Sequence, residues 1–254
     1  MITVFLCEDN LDGILTGVYD AWDSGLGHEN VRLDLEEGYS MELFCSCRTV
    51  RTDLVKAEKV LRTVARRMGR EAEEAVCFAS ACPEREKADA VYRLIVRGLS
   101  MTDGHRAVHC LQDPSVSLVM KLRQKAWHEA HRMMGFLRFE ELENQVLYAQ
   151  IEPAYDVLSL IAPHFAERFL RENWIIHDKK RAQAAVHRAG GGFFLADASF
   201  LTQAYLERHP QERGFQMMWK AFCESAAIEE RRNPACQQKL LPLRFRHCMT
   251  EFQV

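Results

Sequence analysis

The sequence predicts an α+β protein, largely helical, with a small antiparallel sheet built from two β-hairpins around a helix (about 133–188) and an N-terminal strand. Three observations carry this expectation. Apolar residues recur at three- and four-residue spacing through most of the chain, the period of a helix with one buried face. Between about 133 and 188 that period gives way to short apolar runs separated by turn residues. Ile2 to Cys7 are apolar but for Thr3, as in a buried strand.

The elements follow in order. Asp12-Gly13 opens a helix carrying Ile14, Leu15, Val18, Tyr19 and Trp22, and Ser24-Gly25-Leu26-Gly27 breaks it. A short strand is expected near Val31 to Leu35. From Thr52 to Ala130 the chain reads as mostly helical. Thr52-Asp53 gives an N-cap signal, Leu54, Val55, Leu61, Val64 and Met68 form a stripe, and Gly69 follows as a stop. A helix near Glu71–Cys82 ends before Pro83, and another runs from about Glu84 to Leu99. Asp113 caps the next, with Pro114 at its first position.

Met134–Phe139 and Val146–Ile151 read as the first hairpin. Asp156 is expected to cap a helix to about Arg171. Trp174–His177 and Ala182–His187 read as the second hairpin, closed by Gly190-Gly191-Gly192. The last third returns to helix, strongest over Gln211–Ile228, with Phe215, Met218, Trp219 and Phe222 on one face. Two domains are expected, an acidic, mostly helical region 1–104 and an α+β core 105–254, although 254 residues also suit one domain.

Hydrophobic residues at 48% and charged residues at 27% are ordinary for a globular chain. No apolar run approaches the roughly 18 residues that a membrane span needs. MITVFLCEDN lacks a basic leader and reads as a buried strand rather than a signal peptide. Nine cysteines, an odd number without C-x-x-C, argue against a disulfide framework and suit a reducing cytoplasm. Cys45 and Cys47 are two apart and would share a face if they lay in a strand, and small buried hydrophobes are the simpler reading of such residues.

Charge is unevenly spread. Residues 1–50 hold ten acids and two bases, a net of −8, so the remaining chain carries +5 of the total −3. Residues 231–246 contain Arg231, Arg232, Lys239, Arg244 and Arg246 and no acid. Such a stretch meets a polyanion locally or is a solvated surface.

Familiar catalytic motifs fail. His128-Glu129-Ala130-His131-Arg132 resembles a zinc-protease helix, but Arg132 stands where the second histidine is required. No metal site and no cofactor are expected. Gly190-Gly191-Gly192 lacks the Lys-Ser/Thr of a phosphate loop, and there is no G-x-S-x-G elbow.

Four stretches carry a resemblance. They are Glu129 to Phe139; Tyr148 to Pro153 with Ala162 to Phe169; Trp174 to Asp178; and Arg231 to Gln237 with Leu241 to Arg246 and Met249 to Phe252. In this order the chain resembles a bacterial family associated with DNA repair or DNA metabolism, whose core is a domain of unknown function. The resemblance implies a partner role beside a radical SAM protein of DNA modification or repair, and in some bacteria a related domain is fused to a uracil-DNA-glycosylase-like one. It implies no particular reaction. The family commonly has Tyr where this chain has Phe245, which argues against tyrosine chemistry there.

The matched residues then divide by chemistry. Arg138, in an expected alternating strand, contacts phosphate or stacks a base, or else pairs with Glu140 or Glu152. His164 and Arg168, four apart on a helix, bind one phosphate or pair with a buried Glu. His131 is a candidate base because imidazole titrates near neutral pH, or a structural histidine. Glu129 and His164 complete the catalytic candidates for a base-processing hydrolase. Arg231, Arg232 and Asn233 are expected at a helix end, and Arg244 and Arg246 on one strand face. Four guanidiniums together suit phosphates, with Phe245 and Trp219 stacking an unpaired base. The alternative is an ion-pair lattice with Glu229, Glu230 and Glu251. The expected partners are therefore single-stranded or damaged DNA and a radical SAM protein, with a protein–protein adaptor that touches no nucleic acid as the rival.

Overall fold

A computed structural model describes residues 2–252. The chain is α+β and divides into two compact units, Met1–His128 and Glu129–Val254. The sequence marks a change of character near 105, whereas the compact units divide at 128/129, inside a long helix.

The first unit opens with β1 (Ile2–Cys7), α1 (Leu11–Asp23), β2 (Val31–Leu35) and β3 (Cys45–Thr49). These strands make a parallel sheet in the order β2-β1-β3 with β1 in the middle, which explains why β1 is apolar but for Thr3. Asn10, not Asp12, caps α1, its side chain accepting from the Gly13 N–H at 2.7 Å. β3 has no sequence signal because it lies at the sheet edge, where Cys-Ser-Cys-Arg-Thr need not be apolar.

Helices α2 (Leu54–Met68), α3 (Arg70–Ser80) and α4 (Lys87–Ser100) follow. Asp53 caps α2 by accepting from the N–H groups of Val55 and Lys56. Gly69 separates α2 from α3 at φ +82, and a Cβ there would stand 2.3 Å from Nδ1 of His105. Asp113 caps α5 (Pro114–Phe136) through the Ser115 N–H at 2.9 Å.

The expected strand Met134–Phe139 is absent. α5 continues through Phe136, because Ala126, Ala130, Met133 and Leu137 form a buried stripe at helical spacing that outweighs the short alternation. Arg138 therefore lies in the segment just past the helix, not in a strand.

The second unit holds a five-stranded sheet in the order β4-β5-β6-β7-β8. Its strands are β4 (Glu140–Glu141), β5 (Leu147–Ile151), β6 (Trp174–Asp178), β7 (Gln183–His187) and β8 (Phe193–Asp197). The second predicted hairpin is present as β6–β7; in place of the first, β5 pairs with the two-residue β4, which lies just past the expected strand Met134–Phe139. These two pairings join through a parallel β5–β6 pair, so the sheet is mixed rather than antiparallel. The parallel pair follows from α6 (Leu158–Arg168), which crosses over between β5 and β6. β8 falls outside the expected strands; the triple-glycine turn folds it back onto β7.

An aromatic cluster forms beside the sheet. Trp174 is fully buried and stacks on His187 at 5.0 Å. Phe139 packs edge-on against Phe165 at 5.4 Å and Phe169 at 5.3 Å. α7 (Glu212–Ser225) and α8 (Pro234–Leu240) complete the regular elements. Residues 243–248 form a 3-10 turn instead of the expected strand, so Arg244 and Arg246 do not share a strand face.

Replacing Asp53 by Ala removes the side-chain cap of α2 and is expected to cost about 1 kcal/mol. Urea denaturation followed by circular dichroism checks this; an unchanged midpoint would show the cap to be silent.

Candidate functional site

The site is built by one face of α7. Glu212, Phe215, Gln216 and Trp219 stand at i, i+3, i+4 and i+7, so all four share a face. They line a cavity of about 570 Å³ together with Leu137, Arg138 and Phe139 from the segment after α5, and Phe165, Arg168 and Phe169 from the end of α6. That volume lies within the range of small-ligand sites.

Three predicted site residues meet there: Arg138, Arg168 and Trp219. Arg138 is braced. Its guanidinium donates to Glu251 at 2.9 Å, to the carbonyls of Gly135 and Leu137, and lies 5.6 Å from the Trp219 ring centre. The other Glu251 oxygen accepts from Trp219 Nε1 at 3.0 Å. The Arg138 carboxylate partner is thus Glu251, not Glu140 or Glu152. Burial pushes the Glu251 carboxyl up, but its backbone hydrogen bond, the Trp219 N–H and the Arg138 charge and hydrogen bond together hold it below the usual range.

Arg168 differs from Arg138. It is exposed, lies 5.7 Å from the Phe169 ring centre, and has no carboxylate within 4 Å among the described residues. Phe215, expected on one helical face with Met218, Trp219 and Phe222, is 52% exposed. It presents the more open ring, since Trp219 has Arg138 over it and Phe222 stacked against it at 5.7 Å. Glu212 is 8% exposed and accepts from the Glu141 N–H at 3.0 Å and from Gln216 Nε2 at 3.1 Å. Glu212, Phe215, Gln216 and Phe169 are not among the site residues expected from the sequence. The signal available was a helical face mixing aromatics with two polar side chains.

The other predicted residues lie elsewhere. Glu129 is 1% exposed; one oxygen accepts from the Ala154 N–H at 2.8 Å and the other from the Arg244 guanidinium. Glu129 is thereby a structural carboxylate, and Arg244 is neutralised by it. Arg244 also covers Phe245 at 4.6 Å, and Phe245 is fully buried, so it stacks no base. Arg246 lies against Phe252 at 4.7 Å. Arg231 is exposed in a 3-10 turn, Arg232 pairs with Glu229 at 3.2 Å, and Asn233 caps α8 by accepting from the Cys236 N–H at 3.0 Å. His131 is exposed on α5. His164 is exposed on α6, with its ring against Phe165 at 5.1 Å. Neither histidine lines the cavity.

The cysteine chemistry is quiet. Burial pushes the Cys7 and Cys82 thiols up to about 12, and those of Cys77 and Cys248 up to about 11, so these four are neutral thiols near pH 7. Among the described residues no group of three or more His, Cys, Asp or Glu is placed to hold a metal ion. No described helix is long and apolar enough to cross a membrane.

Fold and site together define an α+β protein whose second unit presents an arginine- and aromatic-lined cavity. Residues 85–251 match the family described as a domain of unknown function, DUF4130, and the chain belongs to that family. The match takes in every residue of the cavity. No curated protein matches the chain.

Two outcomes are expected. Glu129→Ala leaves the Ala154 N–H unsatisfied and releases Arg244, at a cost of roughly 1–3 kcal/mol; thermal unfolding checks it. Glu251 adds a pH dependence. Its folded value lies below its ordinary value of 4.5, so the stability it contributes is present above that value and is lost as pH falls through the folded value. Acid titration of unfolding should show this loss in the wild type and a flatter curve in Glu251→Gln; superimposable curves would remove Glu251 from the account.

Proposed function

We propose that this protein is a nucleic-acid-associated accessory factor of DNA repair or DNA metabolism, binding single-stranded or damaged DNA and working beside a radical SAM enzyme. The observation that carries the nucleic-acid reading is an exposed guanidinium, Arg168, without a carboxylate partner among the described residues, in one cavity with the exposed ring of Phe215. Such a pairing fits a phosphate and an unstacked base, because guanidinium forks match phosphate oxygens and every base has a face to stack. The resemblance to a DNA-repair-associated family supplies the cellular setting and the radical SAM partner.

A hydrolytic role receives less support. Glu129 has both oxygens engaged inside the protein, and neither His131 nor His164 faces the cavity. The adaptor reading has one observation in its favour. In the acidic first unit, Met41, Leu43 and Phe44 are 86%, 87% and 90% exposed on one loop, beside Glu36, Glu37 and Glu42. An apolar tip with an acidic surround suits a partner with a basic-rimmed pocket.

Two measurements separate these readings. Arg168→Ala should weaken single-stranded DNA binding and lower the slope of log affinity against log salt by about 0.7 for each phosphate that it no longer neutralises. Phe215→Ala should weaken it by roughly 1–3 kcal/mol. If neither variant changes the isotherm, the cavity is not where DNA binds. If instead replacing Met41, Leu43 and Phe44 by Ser abolishes co-purification with the co-expressed radical SAM protein in nuclease-treated extracts, the adaptor reading gains.

A further inference from the structure

The cavity has two chemically distinct walls. On one side stand the guanidiniums of Arg138 and Arg168, which only donate hydrogen bonds. On the α7 side stand Glu212 and Gln216, one turn apart. The Gln216 amide nitrogen gives one hydrogen to Glu212 at 3.1 Å and keeps its second, and its carbonyl oxygen is an acceptor. Each Glu212 oxygen already takes one protein hydrogen bond and keeps a further lone pair. The α7 wall therefore offers mostly acceptors: the two oxygens of the Glu212 carboxylate, which cannot donate, and the Gln216 carbonyl oxygen, against one remaining amide N–H. Phe215 precedes Gln216 and Trp219 lies three residues beyond it, about 4.5 Å along the helix axis at 1.5 Å per residue. A base lying on the aromatic rings would bring its hydrogen-bonding edge to this acceptor pair.

We infer that the cavity selects unpaired bases that carry an exocyclic amino group, cytosine before thymine, with Glu212 and Gln216 as the specificity-determining residues. The inference rests on the nucleic-acid reading of the same cavity and adds the class of base. Cytosine presents an N4 amino donor where thymine presents the O4 carbonyl, and the acceptor-only Glu212 carboxylate accepts from the first and repels the second. A buried acceptor that loses its solvent without gaining a donor also costs binding energy, so discrimination arises from both partners. Arg168 takes the adjoining phosphate, which carries no sequence information.

The test compares the full-length protein's affinity for dC20 and dT20 at one salt concentration by fluorescence anisotropy. The wild type should bind dC20 at least about fivefold more tightly than dT20, the low end of discrimination by a paired contact. Gln216→Ala should erase most of that preference while keeping dT20 binding. Glu212→Gln, which can still accept from the Glu141 N–H, should reduce it as well, with circular dichroism verifying its fold; if that variant does not fold, Gln216→Ala decides alone. Equal affinity for the two oligonucleotides, or tighter dT20, overturns the base selection and leaves the nucleic-acid reading standing. Binding to neither oligonucleotide overturns both.

Discussion

Glu251 holds Arg138 with one carboxylate oxygen and Trp219 with the other, at 2.9 and 3.0 Å. That double contact joins the segment after α5 to α7, and the cavity lies where those elements meet α6. Arg138 also lies over the Trp219 ring, so charge, hydrogen bond and ring contact act on the same pair. A carboxylate with little solvent around it holds its partners more tightly than a surface ion pair does. The remaining elements make room around this brace. Phe139 packs edge-on against both Phe165 and Phe169, at the end of α6 that brings Arg168 to the cavity.

Much of this architecture is legible in the sequence, for physical reasons. Asp53, Gly69 and Asp113-Pro114 punctuate helices through local hydrogen bonding and backbone freedom, and each does so in the structure. The strand β5 and the hairpin β6–β7 are readable from short apolar runs and turn residues, whereas β4 lies past the strand expected there. The parallel joining of β5 to β6 is not readable, because strand partners across a helical crossover are chosen by tertiary packing rather than by neighbouring residues. Residues 134–136 read as strand and fold as helix because a short alternation also fits the buried face of a long helix already under way.

The site is legible in part. Arg138, Arg168 and Trp219 stand out in the sequence and share one cavity. The arginines of 231–246 meet different neighbours, Arg232 at Glu229 and Arg246 at Phe252. Arg244 is taken by Glu129, more than one hundred residues away in the chain, and composition cannot reveal such a pairing. Phe215 stands in a helical stripe of the kind that normally marks core, yet α7 leaves that ring exposed. The distinction between a packed stripe and a binding face lies in what covers the helix, which one sequence does not record.

The central claim is that one cavity in the second unit, with Arg168 and Phe215 at its opening, is the surface that nucleic acid touches. Zero-length ultraviolet crosslinking of the whole protein to a mixed-sequence single-stranded oligonucleotide, with peptide mapping by mass spectrometry, reads that contact directly. The account predicts adducts on the peptides that carry Phe215, Trp219 or Phe169. Adducts confined to residues 231–246 or to the first unit, with none on those rings, would contradict it.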